Sequence, residues 1–169
     1  MTPDEIERER PFLFGLAYRM LGSAADADDV LQEAWLRVRQ VDDARSPRAL
    51  LTTVVTRLCL DETRSARRRR EQYVGEWLPE PIVTDPSQDP VARAELADSL
   101  SLAFLVVLES LSPDQRAALL LHDVFDYGYG EVAALIGTSE ANARQLAARA
   151  RRQVAERRPR FAASHEQHA

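Results

Sequence analysis

The chain has 169 residues, of which 45% are hydrophobic and 29% charged, and a net charge of -5; these are globular values, with room for one ordinary domain or two small ones. The acidic, polar start MTPDEIERER is not a signal peptide, and no apolar run approaches the roughly 20 residues that span a bilayer, so a cytoplasmic location without a membrane partner is expected. Cys59 is the sole cysteine, which excludes an internal disulfide and a cysteine-based metal cage and leaves it the part of a small buried apolar group.

Phe12, Leu13, Leu16, Ala17, Met20 and Leu21 recur at three- and four-residue steps and predict a helix that stops at Gly22. Ser23, with Asp26 three residues on, resembles a capping box for a second helix whose stripe is Ala27, Val30, Leu31, Ala34, Trp35 and Val38. Ser46 and Pro47 form a cap and first turn for a third, carried by Leu51, Val54, Val55 and Leu58 into an arginine block. Between positions 71 and 90 the periodicity lapses, and Pro79, Pro81, Pro86 and Pro90 forbid a continuous helix; this reads as a linker. Helical spacing resumes with Leu96, Leu100, Ala103, Phe104, Val107, Leu108 and Leu111. Ser112, Pro113 and Gln115 start a short helix through Leu120, Leu121 and Val124, which Tyr127, Gly128, Tyr129 and Gly130 break. GEVAALIG and TSEANARQLAARARR then read as two helices meeting at a tight turn at Gly137. No stretch alternates as a strand does, so the expected fold is all-α, with two small helical domains joined by a proline-rich linker.

The negative total hides a segregation of charge. Arg45, Arg48, Arg57, Arg64, Arg67, Arg68, Arg69 and Arg70 against Asp61 and Glu62 make one window of roughly +6, and positions 140–160 make another of roughly +5. Every basic side chain is arginine; its planar fork suits phosphates and guanine edges, and a G- and C-rich genome would leave the same mark. The run from Arg64 to Arg70 could lie along a phosphate backbone. A basic helix end alone is worth only about 0.3 to 1 kcal/mol through the macrodipole and does not call for so many arginines.

Val132, Ala133, Ile136, Gly137, Ala143 and Leu146 have helix-turn-helix spacing, which presents Asn142, Arg144, Gln145 and Arg149 to base edges or phosphates of a major groove. A merely solvated helix face has the same residue types. Asp26, Asp28 and Asp29 suit the positive end of the second helix, yet Asp28, Asp29, Gln32 and Glu33 beside Trp35 also make an acidic strip with an aromatic anchor, as a protein partner would engage; periodicity leaves both readings open. His122 is isolated and reads as a surface or satisfied core histidine, and His165 and His168 sit in a polar tail. No acid-base pair, glycine-rich phosphate loop or activated nucleophile is present, so no catalytic residue, metal or cofactor is expected.

Three segments together, DADDVLQEAWLRV, SPRALLTTVVTRLCLDETRSARRRRE and LSPDQRAALLLHDVFDYGYGEVAALIGTSEANARQLAARARRQV, resemble the extracytoplasmic-function (ECF) class of RNA polymerase sigma factors over nearly the whole chain. The resemblance implies a sigma-2-like domain over 1–70, a linker over 71–90, a sigma-4-like helix-turn-helix domain over 91–160 and a polar tail over 161–169. It implies that Asp28, Asp29, Gln32, Glu33 and Trp35 dock on the coiled coil of the beta-prime subunit of core RNA polymerase. The loop Asp42 to Ser46 and the helix after it would melt and hold the minus-10 promoter element, with Arg45, Arg48, Arg57, Arg64, Arg67 and Arg68 on the DNA. Arg144, Gln145 and Arg149 match the positions that contact the minus-35 element. Leu50 stands where many members have tryptophan and Arg57 where many have asparagine, so base reading near minus-10 does not carry over.

WLPEP at Trp77 to Pro81 and RQLAARAR resemble the subgroup with a C-terminal SnoaL-like domain; the sequence stops at Ala169 without it, the expectation being that the domain was either cut away or lost. Regulation would then fall to that missing domain or to an inhibitory partner. The linker's Trp77, Pro79 and Pro81 would run near the polymerase's RNA exit or active-site channel. The expectation is thus a non-enzymatic initiation factor, its modules loosely held when free and spread over polymerase and promoter DNA when bound. The rivals are a stand-alone helix-turn-helix regulator that binds an operator as a dimer, and a polymerase-binding protein that reads no promoter.

Overall fold

The computed structural model describes residues 2–41, 46–71 and 102–157. Arg45 and most of its loop, the linker from 72 to 90, Leu96, Leu100, Arg158, Arg160, His165 and His168 lie outside the described residues, as do the side chains of Arg70 and Ala103. Among the described residues the chain is helical, with no strand, as the periodicity requires.

Helix α1 (Pro3–Leu21), α2 (Ala24–Val38) and α3 (Pro47–Glu71) pack on one another as a bundle. The first helix starts well before its apolar stripe because Thr2 and Glu5 close a reciprocal capping box around Pro3, and the Thr2 contacts hold the Glu5 carboxyl below its usual range. It ends at Gly22, whose φ of 73° puts it in the left-handed region. At the centre of this bundle Leu13, Leu16, Ala17, Met20, Ala27, Ala34, Val38, Leu51 and Val55 are buried. Cys59 is buried among them, and burial pushes its thiol well above the ordinary range.

The second half holds α4 (Leu102–Glu109), α5 (Pro113–Leu119), α6 (Tyr129–Ile136) and α7 (Glu140–Arg157). Ser112 and Gln115 form the reciprocal capping box that starts α5. Its carboxy end widens into a π turn over Leu120–Val124, closed by the Phe125 amide on the Leu120 carbonyl. Two details differ from the periodicity. Tyr129 and Gly130 belong to the first turn of α6, because Gly128 is its cap and donates its amide to the Glu131 carboxylate. Leu135 is buried where Ile136 is only partly so.

Gly137 turns the chain between α6 and α7 at φ 74°, where a side chain is strained although nothing stands within 4 Å of the added carbon. Gly137→Ala is therefore expected to cost about 1 to 2 kcal/mol of stability. A lowered midpoint in urea unfolding checks this, and an unchanged midpoint would contradict it.

The halves are not loosely held. Helix α3 packs against α5 and α6, and α1 against α4, α5 and the π turn, so one buried apolar cluster runs through both.

Candidate nucleic-acid interface

The acidic strip lies along α2. Asp28 accepts a hydrogen bond from Arg10 of α1 at 3.1 Å, and Glu33 pairs with Arg37 one turn on at 2.7 Å. Asp29 and Gln32 are exposed and make no hydrogen bond among the described residues. Trp35 is partly buried and, with Gln32, Ile6, Leu13, Leu31, Leu36 and Leu51, lines an apolar groove between α1 and α2. On the other flank Asp29 and Glu33 face Asp61 and Glu62 of α3 across a hollow that Arg37, Val30 and Leu58 also line. The helix thus offers a carboxylate ridge between an apolar groove and further acids. Leu36, half exposed, adds an apolar contact that the stripe analysis missed.

Helix α3 carries the first arginine set. Arg57, Arg64 and Arg68 fall on one line at seven- and four-residue steps, with Asp61 between them, and all three are exposed. Arg57 and Arg68 make no ion pair among the described residues. Arg64 donates to Asp114 of α5 at 2.6 Å, and Arg69 to Glu62 at 2.8 Å. Arg67 lies beside Thr63, Glu109 and Arg116 at the joint between the halves. Arg48 is held against α1 by an ion pair to Glu9 at 2.9 Å, its guanidinium 4.2 Å from the centre of the Phe12 ring. Pairs this exposed are worth about 0 to 1 kcal/mol, so phosphate oxygens can compete for these arginines at little cost.

The second set lies on α7, whose buried face is the small-residue row Ala143, Ala147 and Ala150 packed on α5 and α6. Small side chains there let the helices approach closely. Asn142, Arg144, Gln145 and Arg149 all point outward and are exposed. The Asn142 amide donates to Thr138 at 2.7 Å and Arg144 to Glu140 at 2.6 Å, while Gln145 and Arg149 have no partner among the described residues. Arg151, part of the second basic window but not among the expected DNA contacts, donates to Asp123 and to the Tyr129 hydroxyl, and those bonds raise its pKa further. His122 is partly buried, its Nδ1–H bonded to the Tyr127 carbonyl at 2.7 Å and its ring stacked on Tyr129. It is a satisfied histidine.

Between the halves sits a group that sequence reasoning missed. Arg116 is 3% exposed; its Nε donates to the Leu108 carbonyl at 2.9 Å, and its Nη1 to the Met20 carbonyl and to Glu109. Around it the seam is closed by Phe12 edge-on to Phe125 at 5.2 Å, by Arg19 over Phe125, and by the Tyr127 hydroxyl donating to Thr52. Thr56, fully buried on α3, leaves its hydroxyl without a partner among the described residues.

The Sigma-70 region 2 family matches residues 6–69 and the Sigma-70, region 4 family residues 101–154. The chain is 53% identical over 156 residues to the ECF RNA polymerase sigma factor SigJ of Mycobacterium tuberculosis, covering 91% of this chain and 50% of that protein. It is 40% identical to the probable ECF sigma factor SigI of that species, covering 88% and 52%. To its ECF sigma factor SigL it is 33% identical, covering 76% and 72%. The crystal structure of M. tuberculosis SigJ superposes with a TM-score of 0.74 at 50% identity, covering 90% of this chain and 53% of that one. The chain spans about half the length of SigJ and of SigI. Among the described residues no helix is long and apolar enough to cross a membrane.

Proposed function

The chain belongs to the ECF class of RNA polymerase sigma factors, and from that premise we propose that it binds core RNA polymerase and directs initiation at promoters with minus-10 and minus-35 elements. The observation that carries this is the exposure, on three different helices, of three chemically distinct faces. They are the acidic ridge of α2 with Asp29 and Gln32, the arginine line of α3 with Arg57 and Arg68, and the outward face of α7 with Gln145 and Arg149. The first suits a basic protein surface; the other two suit the phosphates and base edges of DNA.

In this reading Asp28, Asp29, Gln32, Glu33 and Trp35 hold the polymerase coiled coil, and Arg45, Arg48, Arg57, Arg64, Arg67 and Arg68 serve the minus-10 region. Asn142, Arg144, Gln145 and Arg149 read minus-35. Residues 1–70 and 91–160 act as the two modules, joined by the linker over 71–90. Promoter opening needs no covalent chemistry from the protein, so it acts as a factor and not as an enzyme, in the cytoplasm where polymerase and promoter meet. An inhibitory partner that covers one of the three faces fits the same scheme.

The test is selection of promoter fragments from a random library by core polymerase with and without the chain. Enriched fragments should share two spaced elements only when both proteins are present. Arg144→Ala should relax preference at one upstream base pair by about 1 to 3 kcal/mol. Equal enrichment by the chain alone would overturn the proposal in favour of a stand-alone regulator.

A further inference from the structure

Arg144 does not stand free on α7. Its guanidinium lies over the Tyr129 ring, 4.7 Å from the centroid, while Glu140 accepts from its Nη2 at 2.6 Å. One face of the fork is thereby covered and one edge is tied. Its Nε and Nη1 make no hydrogen bond among the described residues, and the side chain is 59% exposed. Tyr129, in turn, is fixed from behind. The His122 ring stacks on it at 3.8 Å and 19°, and Arg151, itself anchored on Asp123, donates to its hydroxyl at 2.8 Å. His122 is braced by its Nδ1–H on the Tyr127 carbonyl. The stack runs His122, Tyr129, Arg144, from the π turn through the start of α6 to the first turns of α7.

We propose that Tyr129 is a positioning residue for promoter reading: its ring, held by His122 and Arg151, sets the Arg144 guanidinium so that its unbonded edge meets one base pair. The inference rests on the promoter-reading function proposed above. Its physics is preorganisation. An arginine contacting a base must surrender the freedom of a long side chain, and a surface arginine with nothing over its face surrenders it all at the moment of binding. A ring beneath and a carboxylate beside the guanidinium remove much of that freedom in advance, and the attraction of the cation for the ring face holds the arrangement without consuming a second hydrogen-bonding edge. Tyr129 need not touch DNA for this. Its loss should therefore be felt at the one base pair that Arg144 reads and not along the whole element.

The experiment uses holoenzyme, made from core polymerase and the full chain, competing over every single-base variant of the upstream element of a selected promoter. Wild type, Tyr129→Leu, Tyr129→Phe, Arg144→Ala and the Tyr129→Leu/Arg144→Ala double variant are compared. Tyr129→Leu should lose roughly tenfold in preference at the same base pair as Arg144→Ala, with other positions moved by less than about twofold. Tyr129→Phe keeps the ring and should keep the preference, which separates the stack from the Arg151 hydrogen bond. In the double variant the leucine should add nothing at that base pair. The ring-current shift on the Arg144 side-chain protons, present in the wild type and in Tyr129→Phe and lost in Tyr129→Leu, reports the stack in the free protein. A uniform loss along the element, a further loss in the double variant, or no ring-current shift in the wild type would overturn the proposal. If wild-type holoenzyme selects no promoter, the proposed function fails first and takes this inference with it.

Discussion

Arg116→Ala is expected to remove about 3 to 5 kcal/mol of stability, the range for stripping one partner from a buried ion pair. Three groups accept from this guanidinium. Met20 is in the last turn of α1 and Leu108 in the last turn of α4, and the final carbonyls of a helix have no partner within it. Arg116 caps both, one in each half, with a positive charge at the negative end of each dipole. Without it the Met20 carbonyl would lose its bond, the Leu108 carbonyl would keep only the Leu111 amide, and Glu109, 14% exposed, would lose the positive charge 3.0 Å away. Urea unfolding measures the loss. Arg116→Met combined with Glu109→Gln removes both charges and should lose less than Arg116→Ala alone. A loss below about 1 kcal/mol for the alanine variant would show that water replaces the guanidinium and that the seam does not depend on it.

Asp29→Arg is expected to lower affinity for core polymerase by about a hundredfold or more, because it replaces an attraction by a like-charge contact worth several kcal/mol. Asp29 is the cleanest carboxylate of the strip: it is exposed and its side chain makes no hydrogen bond among the described residues, whereas Asp28 holds Arg10 and Glu33 holds Arg37. The fold should therefore survive, with thermal unfolding moved little, since a surface change away from such contacts stays within about 0.5 kcal/mol. Binding of labelled core polymerase checks the effect, and an affinity equal to wild type would remove Asp29 from the docking surface. The same loss should weaken as salt is raised, since exposed charges are screened over about 8 Å at physiological ionic strength.

Much of the architecture was legible in local pattern. The stripe from Leu13 to Leu21, the Ser112 to Gln115 box and the Gly137 turn are signals carried by neighbouring residues, and each lies where spacing puts it. The Thr2 to Glu5 box is just as local, a threonine with a glutamate three residues on. The seam was not readable. Arg116 counts as surface charge until its partner 96 residues away is known, and Thr52 and Thr56 sit buried on α3 although threonine is no part of its apolar stripe. Burial of a polar side chain is decided by what packs on it, which periodicity does not contain.

For the candidate site the same boundary holds. Residue type and spacing placed Asn142, Arg144, Gln145 and Arg149 on one exposed helix face. The aromatic support under Arg144 came from Tyr129, a residue read only as a helix breaker. Arg48 shows the converse: counted with the DNA-facing arginines, it lies on Phe12 and Glu9 of α1. A contact with DNA there would use the edge of the guanidinium that Glu9 leaves open.

Run-off transcription from a selected promoter by purified core polymerase tests the central claim most directly. With the chain added, transcripts should begin at one defined start site, and they should vanish with Asp29→Arg. A defined start that forms equally well without the chain, or none when it is present at saturating concentration, would contradict the account.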